Sequence, residues 1–438
     1  MELRDIVVTP LVLVMVFLTS LYVKSRIEDP ILRRYFMPAL WLKIFGALAL
    51  GFIYQFYYNG GDTYNYHTLG SRIIWEAFAD DYATGFKLLF AKPGLHPEVF
   101  SYSQKIPFYY DEKSFFIVRI AAFFDLLTFS SYSATAIFFA LFGFAGAWAF
   151  FITFFKQFPH LHKWIAISIL FIPSVIFWGS GVLKDTITLS ALGLLTYAIN
   201  KVLIEKKLAI INIILLLFSA WIIIKVKMYI ILCFLPAAFF WVYAKQLFST
   251  GSFVARVVFA PLLIPFVIVG AYFGVAKISE ADEKYSLDKI AKTAQITAYD
   301  IRFWTGRDAG SGYTLGELDG TFTGMLALAP KAVNVSLFRP YLWEVKNPLM
   351  LLSAMESFLF LSITVFLLLR YPMAFLKAFS DPNILFCFIF SLVFAFGVGV
   401  STFNFGTLAR YKIPLLPFYA LGLVLMVNKI RASKEEKY

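Results

Sequence analysis

The segment NGGDTYNYH, residues 59–67, brings three chemically capable side chains close together in sequence. Asp62, Tyr66 and His67 supply a carboxylate, a hydroxyl and an imidazole, and Asp62 and Tyr66 would share one face of a helix. The two glycines predict a chain break, after which Asp62 would begin a new helix. Such a carboxylate can act as general base toward a sugar hydroxyl, or hold a divalent ion beside a phosphate. The alternative is that Asp62 only caps the helix.

Basic residues close to the ends of apolar runs are candidate anion-binding groups. Lys184 and Asp185 follow a very short turn between two runs, where a charge at membrane depth costs about 2.5–3.5 kcal/mol. Lys184 can bind a phosphate or a sugar carboxylate while Asp185 holds the next helix start, or both are boundary charges of a hairpin. Lys225 and Lys227 either face an anionic ligand such as a lipid phosphate, or show that the predicted number of spans is wrong by one there.

Two later segments add further cations. The guanidinium of Arg339 can grip two phosphate oxygens, and Glu344 is grouped with it among the predicted substrate-binding residues. The alternative is an interfacial anchor, with Trp343 in the headgroup layer and Arg339 snorkelling. Arg410 and Lys412 precede the last apolar run and can neutralise a diphosphate, or form a flanking charge pair.

The elements that must position these residues are apolar helices. Hydrophobic residues make up 60% of the 438 residues and the mean hydropathy is +0.75, whereas soluble domains are about 45–50% apolar. We therefore predict an all-α, polytopic transmembrane helix bundle with about 11 spans, forming a single domain over residues 1–438. The predicted spans are 6–23, 40–58, 132–155, 164–180, 186–200, 208–224, 229–247, 254–276, 349–369, 384–402 and 412–428.

Lysine and arginine in the short loops predict the orientation, because such residues concentrate on the cytosolic side. Their distribution, with Lys43 counted beside the first loop, predicts an outside N-terminus and a cytosolic C-terminus, in a bacterial inner (cytoplasmic) membrane. Residues 59–131 and 277–348 then form long non-cytosolic loops. Residues 115–130 are predicted to lie in the interface as a helix. The segment 305–324 holds six glycines and is either a mobile lid or an exposed loop.

Several classes of function are disfavoured by composition. The net charge of +12 comes from short basic groups between apolar runs, which the positive-inside bias and anionic headgroups explain, so we predict no nucleic-acid partner. Cys233 and Cys387 both lie in apolar runs, which argues against a cysteine zinc site. No Walker loop or dinucleotide fingerprint occurs in the sequence, so transport driven by ATP bound to this chain is not expected.

These features resemble the C-type (GT-C) membrane glycosyltransferases and the related polymerases of bacterial surface polysaccharides. The resemblance covers many spans, an early outer loop with Asp62, Tyr66 and His67, and the stretch RYKIPLLP at residues 410–417 before a final span. It implies that interfacial helices occupy the first long outer loop. An additional span precedes the aspartate loop, and no second acidic residue adjoins Asp62, which puts a carried-over metal role in doubt.

The resemblance implies transfer of a sugar from a polyprenyl-phosphate or polyprenyl-diphosphate donor on the outer face of the membrane. Asp62 would deprotonate the acceptor hydroxyl, and Lys184, Arg339 and Arg410 would stabilise charge on the departing phosphate. The expected partners are this lipid-linked sugar and membrane lipid. No cofactor is assigned, a divalent metal stays possible, and the oligomeric state is open.

Two other classes of function are compatible with the sequence. A lipid-linked oligosaccharide flippase or transporter also needs intramembrane cations for an anionic cargo, and it predicts inverted repeats and helices interrupted near the midplane. No repeat is evident in the sequence, and the polar residues concentrate toward one side of the membrane. A non-catalytic scaffold within a polysaccharide or secretion complex predicts that Asp62→Asn leaves activity intact.

Overall fold

The computed structural model describes residues 2–249, 289–305 and 311–435. Across these ranges the regular structure is helical, with one isolated antiparallel bridge between Gly312 and Asn404. Eight helices within them are long and apolar enough to cross a membrane. The prediction of an all-helical polytopic membrane protein is therefore confirmed. The number of spans stays a prediction, and the window 254–276 lies outside the described residues.

Helix starts in the first part of the chain follow local capping rules. Asp29 accepts hydrogen bonds from the amides of Ile31 and Leu32, and Pro30 occupies the first helical position, where no amide donor is needed. The helices up to residue 249 are α1 (Leu3–Ser25), α2 (Pro30–Phe56), α3 (Asp62–Tyr66), α4 (Arg72–Asp80), α5 (Tyr82–Phe90), α6 (Phe100–Ser103), α7 (Glu112–Thr128), α8 (Tyr132–Phe155), α9 (His162–Leu170), α10 (Pro173–Trp178), α11 (Lys184–Ile199) and α12 (Ile210–Ser249).

The predicted span 164–180 is interrupted. It forms the two short helices α9 and α10, which are separated at Phe171 and Ile172. Pro173 explains the break, because a proline disfavours helical geometry in the residue before it and lacks an amide hydrogen. The chain then turns through residues 179–183 before α11 begins.

Lys43 lies in the middle of α2 rather than at its end. Its side chain is buried, and its ammonium group donates to the carbonyl oxygens of Val175 (3.1 Å) and Gly179 (2.9 Å). Val175 lies in the last turn of α10, where its carbonyl also accepts the Gly179 amide at 3.1 Å, and Gly179 lies just after the helix, where carbonyls lack intrahelical partners. Lys43 therefore fixes this turn from inside the bundle instead of flanking a loop.

α12 contains one residue with non-helical backbone angles, Lys227 (φ −141°, ψ 75°). The Gln246 side chain donates to the Leu203 carbonyl at 3.2 Å. A straight helix would separate Asn212 from Gln246 by about 51 Å, whereas the chain from Leu203 to Asn212 can extend no more than about 32 Å. α12 must therefore bend sharply at Lys227. The bend falls between the predicted windows 208–224 and 229–247.

The remaining described helices are α13 (Ile290–Thr305), α14 (Phe322–Ala327), α15 (Ala329–Phe338), α16 (Pro348–Arg370), α17 (Pro372–Ala378), α18 (Pro382–Thr402), α19 (Phe405–Tyr411) and α20 (Leu415–Glu435). α18 packs against both α15 and α20. In this core the ring of Trp241 stacks on Phe386 at 4.4 Å, and its indole donates to Asn383 at 2.9 Å.

The described part of the glycine-rich segment is attached to the end of α18. The Tyr313 amide donates to the Phe403 carbonyl (3.1 Å), and the Phe405 amide donates to Ser311 (2.8 Å). The Tyr313 hydroxyl is buried 2.5 Å from Thr402. Residues 306–310 lie outside the described ranges, and a lid function for this segment stays a prediction.

The chain divides into two compact units. The first contains Met1–His162, Val175–Thr196 and Leu217–Lys227, and the second contains the other segments. The assignment of residues 1–438 to a single domain stays a prediction.

Candidate functional site

The aspartate loop begins as the sequence predicts. α2 ends at Phe56, and Gly60 and Gly61 take positive φ angles of 125° and 123°, which favour glycine. Gly61 occupies the N-cap position, so Asp62 is the first residue of α3 instead of its cap. A negative charge in a first helical turn is favoured by the helix dipole. Asp62 is half-buried.

α3 is fixed by aromatic contacts. The Thr63 and Tyr132 hydroxyls are 2.7 Å apart, and the Tyr64 and Tyr132 rings stack with centroids 4.4 Å apart. Burial raises the pKa of Tyr64 to about 12, and the charges of nearby carboxylates add to the effect. The buried ring of Tyr66 packs against Phe108 at 5.0 Å. The helix that carries Asp62 is therefore held along most of its length.

His67 begins a π-helical turn (His67–Ser71) that continues α3 into α4. Its imidazole is fully buried, and Nε2 lies 3.2 Å from Oδ1 of the equally buried Asp125, outside hydrogen-bond geometry. Asp125, on α7, accepts hydrogen bonds from Ser71 and Thr135, each at 2.6 Å. His67 as a catalytic residue stays a prediction. Its burial favours a role in positioning the Asp62 helix.

Lys184 interacts with two carboxylates. Its ammonium group is 3.2 Å from Asp111, which is the N-cap of α7, and it also interacts electrostatically with Asp62. The charge of Lys227 acts on Lys184 as well. The predicted general base and the predicted phosphate ligand, 122 positions apart in sequence, therefore belong to one electrostatic cluster.

Two further ion pairs complete this cluster. Lys225 pairs with Glu112, the first residue of α7. Lys227, at the bend of α12, pairs with Asp185 in the first turn of α11. We call this group the lysine cluster: Asp62, Asp111, Glu112, Lys184, Asp185, Lys225 and Lys227. Lys225 and Lys227, which the predicted orientation puts on the outer side against the positive-inside bias, are thus partnered within the first unit.

Sequence reasoning missed Asp111 and Glu112. Burial raises the pKa of Asp111, but the hydrogen bond from Ser114 and the charge of Lys184 outweigh it and lower the pKa overall. The hydrogen bond from Lys225 is the main cause of a lowered pKa for Glu112. The motif DEKS at residues 111–114 is a helix-start signal that could have identified both as first-turn carboxylates. Nothing local in the sequence pairs them with Lys184 and Lys225.

Arg339 and Glu344 form a close ion pair in the second unit. The Arg339 Nε lies 3.1 and 3.0 Å from the two carboxylate oxygens, and a second guanidinium nitrogen contacts the same group. The hydrogen bond to Glu344 raises the pKa of Arg339, while that pair and a backbone amide outweigh burial and lower the pKa of Glu344. The guanidinium also lies 5.1 Å from the Phe405 ring centroid. Arg339 is thus already occupied by a carboxylate.

Lys412 is buried beneath Arg339. Its ammonium group donates to the Arg339 carbonyl oxygen (3.2 Å) and to the Ser357 hydroxyl (2.9 Å). Burial lowers the pKa of Lys412 to about 8, although the charge of Glu356 opposes this. Glu356 itself accepts a hydrogen bond from the Ser174 amide at 2.8 Å. Lys412 therefore supports the backbone of Arg339, and its direct contact with a phosphate stays a prediction.

Arg410 lies on α19 and is half-buried. The predicted site residues consequently fall into two groups. Asp62, Tyr66, His67 and the lysine cluster belong to the first unit. Arg339, Glu344, Arg410 and Lys412 belong to the second.

The donor groups available decide whether a metal ion could be held. Among the described residues, no three histidine, cysteine or acidic side chains are grouped so that they could hold a metal ion. No step is therefore assigned to a metal. Comparison with known proteins finds no matching family, no matching curated protein and no matching solved structure.

Proposed function

We propose that this protein is a membrane glycosyltransferase or polysaccharide polymerase that uses a polyprenyl-phosphate or polyprenyl-diphosphate sugar donor at the outer face. The observation that carries the proposal is that Lys184, which pairs with Asp111 at 3.2 Å, also interacts electrostatically with Asp62. A base for an acceptor hydroxyl and a cation for a leaving phosphate are both required by such a transfer. Separate carboxylates and lysines serve as base and anion partner without a cofactor.

The reaction can be written with these residues alone. Asp62 accepts the proton of the acceptor hydroxyl as its oxygen attacks the anomeric carbon of the donor sugar. The new carbon–oxygen bond forms while the bond between that carbon and the phosphate oxygen breaks. The electron pair leaves with the phosphate, whose added negative charge is stabilised by Lys184 and Lys225. The proton remains on Asp62 until it is released to water.

The accessibility of the cations supports this assignment. Lys184 and Lys225 are 19% and 34% exposed, so a ligand can reach them, whereas Lys227 and Asp185 are only 9% and 1% exposed. The buried pair is therefore suited to holding α11 and α12 together. We assign the phosphate to Lys184 and Lys225. Arg339 and Arg410 remain further proposed phosphate ligands on the second unit.

Asp62→Asn tests the proposal directly. General-base catalysis contributes about 10²–10⁴-fold, so transfer from a polyprenyl-linked sugar should fall by at least about 100-fold at unchanged expression and monodispersity. Asp81→Asn is the matched control, because Asp81 is an exposed helix-capping aspartate in the same loop and asparagine caps equally well. Normal polymer or glycolipid in a strain that carries only Asp62→Asn would overturn the proposal.

A flippase or transporter is the second candidate, and it is favoured by the interrupted helices. α9 and α10 break at Phe171, and α12 bends at Lys227. Discontinuous helices are typical of transporters with sites inside the membrane. Reconstituted protein that moves a fluorescent lipid-linked oligosaccharide across vesicles without forming a glycosidic bond would favour this candidate over the transferase.

A further inference from the structure

Resting on the proposed function, we propose that Asp111 and Glu112 set the affinity of the site for phosphate-bearing ligands. In the free protein these carboxylates occupy Lys184 and Lys225. A phosphate or diphosphate takes their place when it binds. Asp111 and Glu112 are thus built-in competitors of the ligand.

The accessibility of the ion pairs distinguishes the exchangeable ones from the fixed one. Asp111 and Glu112 are 49% and 60% exposed, and each can turn toward water when its lysine is taken. Asp185 is 1% exposed and has no such route. Solvated ion pairs are weak, so an anion of higher charge density can replace the carboxylate, whereas breaking a buried pair is costly.

The placement of the two carboxylates favours a ligand with linked phosphates. Asp111 and Glu112 are consecutive residues, so their α-carbons are about 3.8 Å apart. Lys184 and Lys225 each pair with one of these two carboxylates at the start of α7. A diphosphate supplies one phosphate for each lysine, while a single phosphate would release only one carboxylate.

The exchange predicts that removing either negative charge tightens binding. Asp111→Asn keeps the N-cap, because asparagine caps helices as well as aspartate does, and Glu112→Gln keeps the side-chain length. Each variant should bind inorganic pyrophosphate about two- to fivefold more tightly than the wild type, and the double variant about tenfold. Binding is measured by titration calorimetry on the full chain in detergent.

Glu98→Gln is the matched control. Glu98 pairs with Lys87 in the same loop, and both side chains are exposed, but neither belongs to the lysine cluster. Its pyrophosphate affinity should equal that of the wild type. Adding Lys184→Met to Asp111→Asn should abolish the gain from Asp111→Asn, because the exchanged cation is then missing.

Unchanged or weaker pyrophosphate binding by both Asp111→Asn and Glu112→Gln would overturn the proposal. If Asp111→Asn fails to fold, Glu112→Gln decides alone, since its side chain is largely in solvent. A gain for short-chain phosphatidylglycerol without one for pyrophosphate would overturn the preference for linked phosphates, because a headgroup with one phosphate would then be the ligand. The proposed transferase is tested independently: tighter pyrophosphate binding together with normal transfer by Asp62→Asn would reject the transferase and retain the exchange.

Discussion

The contacts of Lys412 differ from those that its sequence motif suggests. As part of the sequence RYKIP it is a natural phosphate ligand, yet its ammonium group supports the Arg339 carbonyl and the Ser357 hydroxyl. Burial lowers its pKa to about 8 from 10.5, the value in an unfolded chain. Between these two values the unfolded state binds more protons than the folded state, so folding stability should rise with pH.

The pH dependence of folding stability should therefore differ between the wild type and Lys412→Met. From pH 7 to pH 9.5 the wild type should gain on the order of 2 kcal/mol of stability relative to the variant, because only the wild type loses the cost of a buried ammonium. Thermal unfolding in detergent at several pH values measures this gap. Parallel Tm curves for the two proteins would contradict the assigned burial of the charge.

The sequence predicts which residues are chemically capable, but it does not predict which of them form pairs. The NGGD segment predicts the helix that begins at Asp62, and that prediction is confirmed. The contact of Lys184 with Asp111 spans 73 positions, and that of Lys225 with Glu112 spans 113, so no local pattern reports either. The half-buried lysines were recognisable because charges at membrane depth are costly. Their partners depend on how α7 packs, which one sequence does not reveal.

At the scale of elements, α7 packs against the π-helical turn and holds it in place. Asp125, on α7, accepts hydrogen bonds from the hydroxyls of Ser71 and Thr135 and lies beside His67. All four side chains are buried. Because this segment is short and carries Arg119 and Asp125, the sequence predicts an interfacial helix and not a span, and that placement stays a prediction. The buried carboxylate of Asp125 is tolerated because hydroxyl donors surround it.

Asp125→Ala should therefore destabilise the protein by about 3 kcal/mol, because it leaves the buried hydroxyls of Ser71 and Thr135 without their acceptor. A Tm several degrees below that of the wild type in detergent is the expected result. Glu98→Ala, which removes an exposed carboxylate from the same unit, should leave the Tm unchanged. Equal Tm values for Asp125→Ala and the wild type would show that Asp125 does not stabilise the π-helical turn.

The positions of the long helices were easier to predict than the breaks and bends within them. Apolar windows located α1, α2, α8, α16, α18 and α20, because a run of about 20 apolar residues is a strong signal. The same windows could not report that α9 and α10 are separate or that α12 bends at a single residue. Hydropathy carries no information about backbone direction, although Pro173 marks the first of these breaks.

For the whole molecule, the predicted orientation has a direct test. Glu98 and Lys207 are similarly exposed, 66% and 64%, and the orientation puts residue 98 outside and residue 207 in the cytosol. In a background with Cys233→Ala and Cys387→Ala, an impermeant maleimide should label Glu98→Cys in intact cells, and Lys207→Cys only after permeabilisation. The reverse pattern would invert the topology and move the lysine cluster to the cytosolic side.

The buried ammonium of Lys43 has a consequence for biosynthesis. Its acceptors, the carbonyls of Val175 and Gly179, are 132 and 136 positions later in the chain. At about 5–20 residues per second the ribosome needs roughly 7–27 s to deliver them. Until then α2 must enter the bilayer with an unsatisfied cation costing about 2.5–3.5 kcal/mol.

A nascent chain ending near residue 60 should thus insert α2 inefficiently, and Lys43→Leu should restore insertion in a reporter fusion. Fusions that extend beyond Gly179 should insert with either residue. Efficient insertion of the short wild-type fusion would show that the translocon accepts α2 unaided. If the short fusion inserts poorly, stable insertion of α2 depends on the turn that supplies the Val175 and Gly179 carbonyls. Lys43 then sets the order in which these segments assemble.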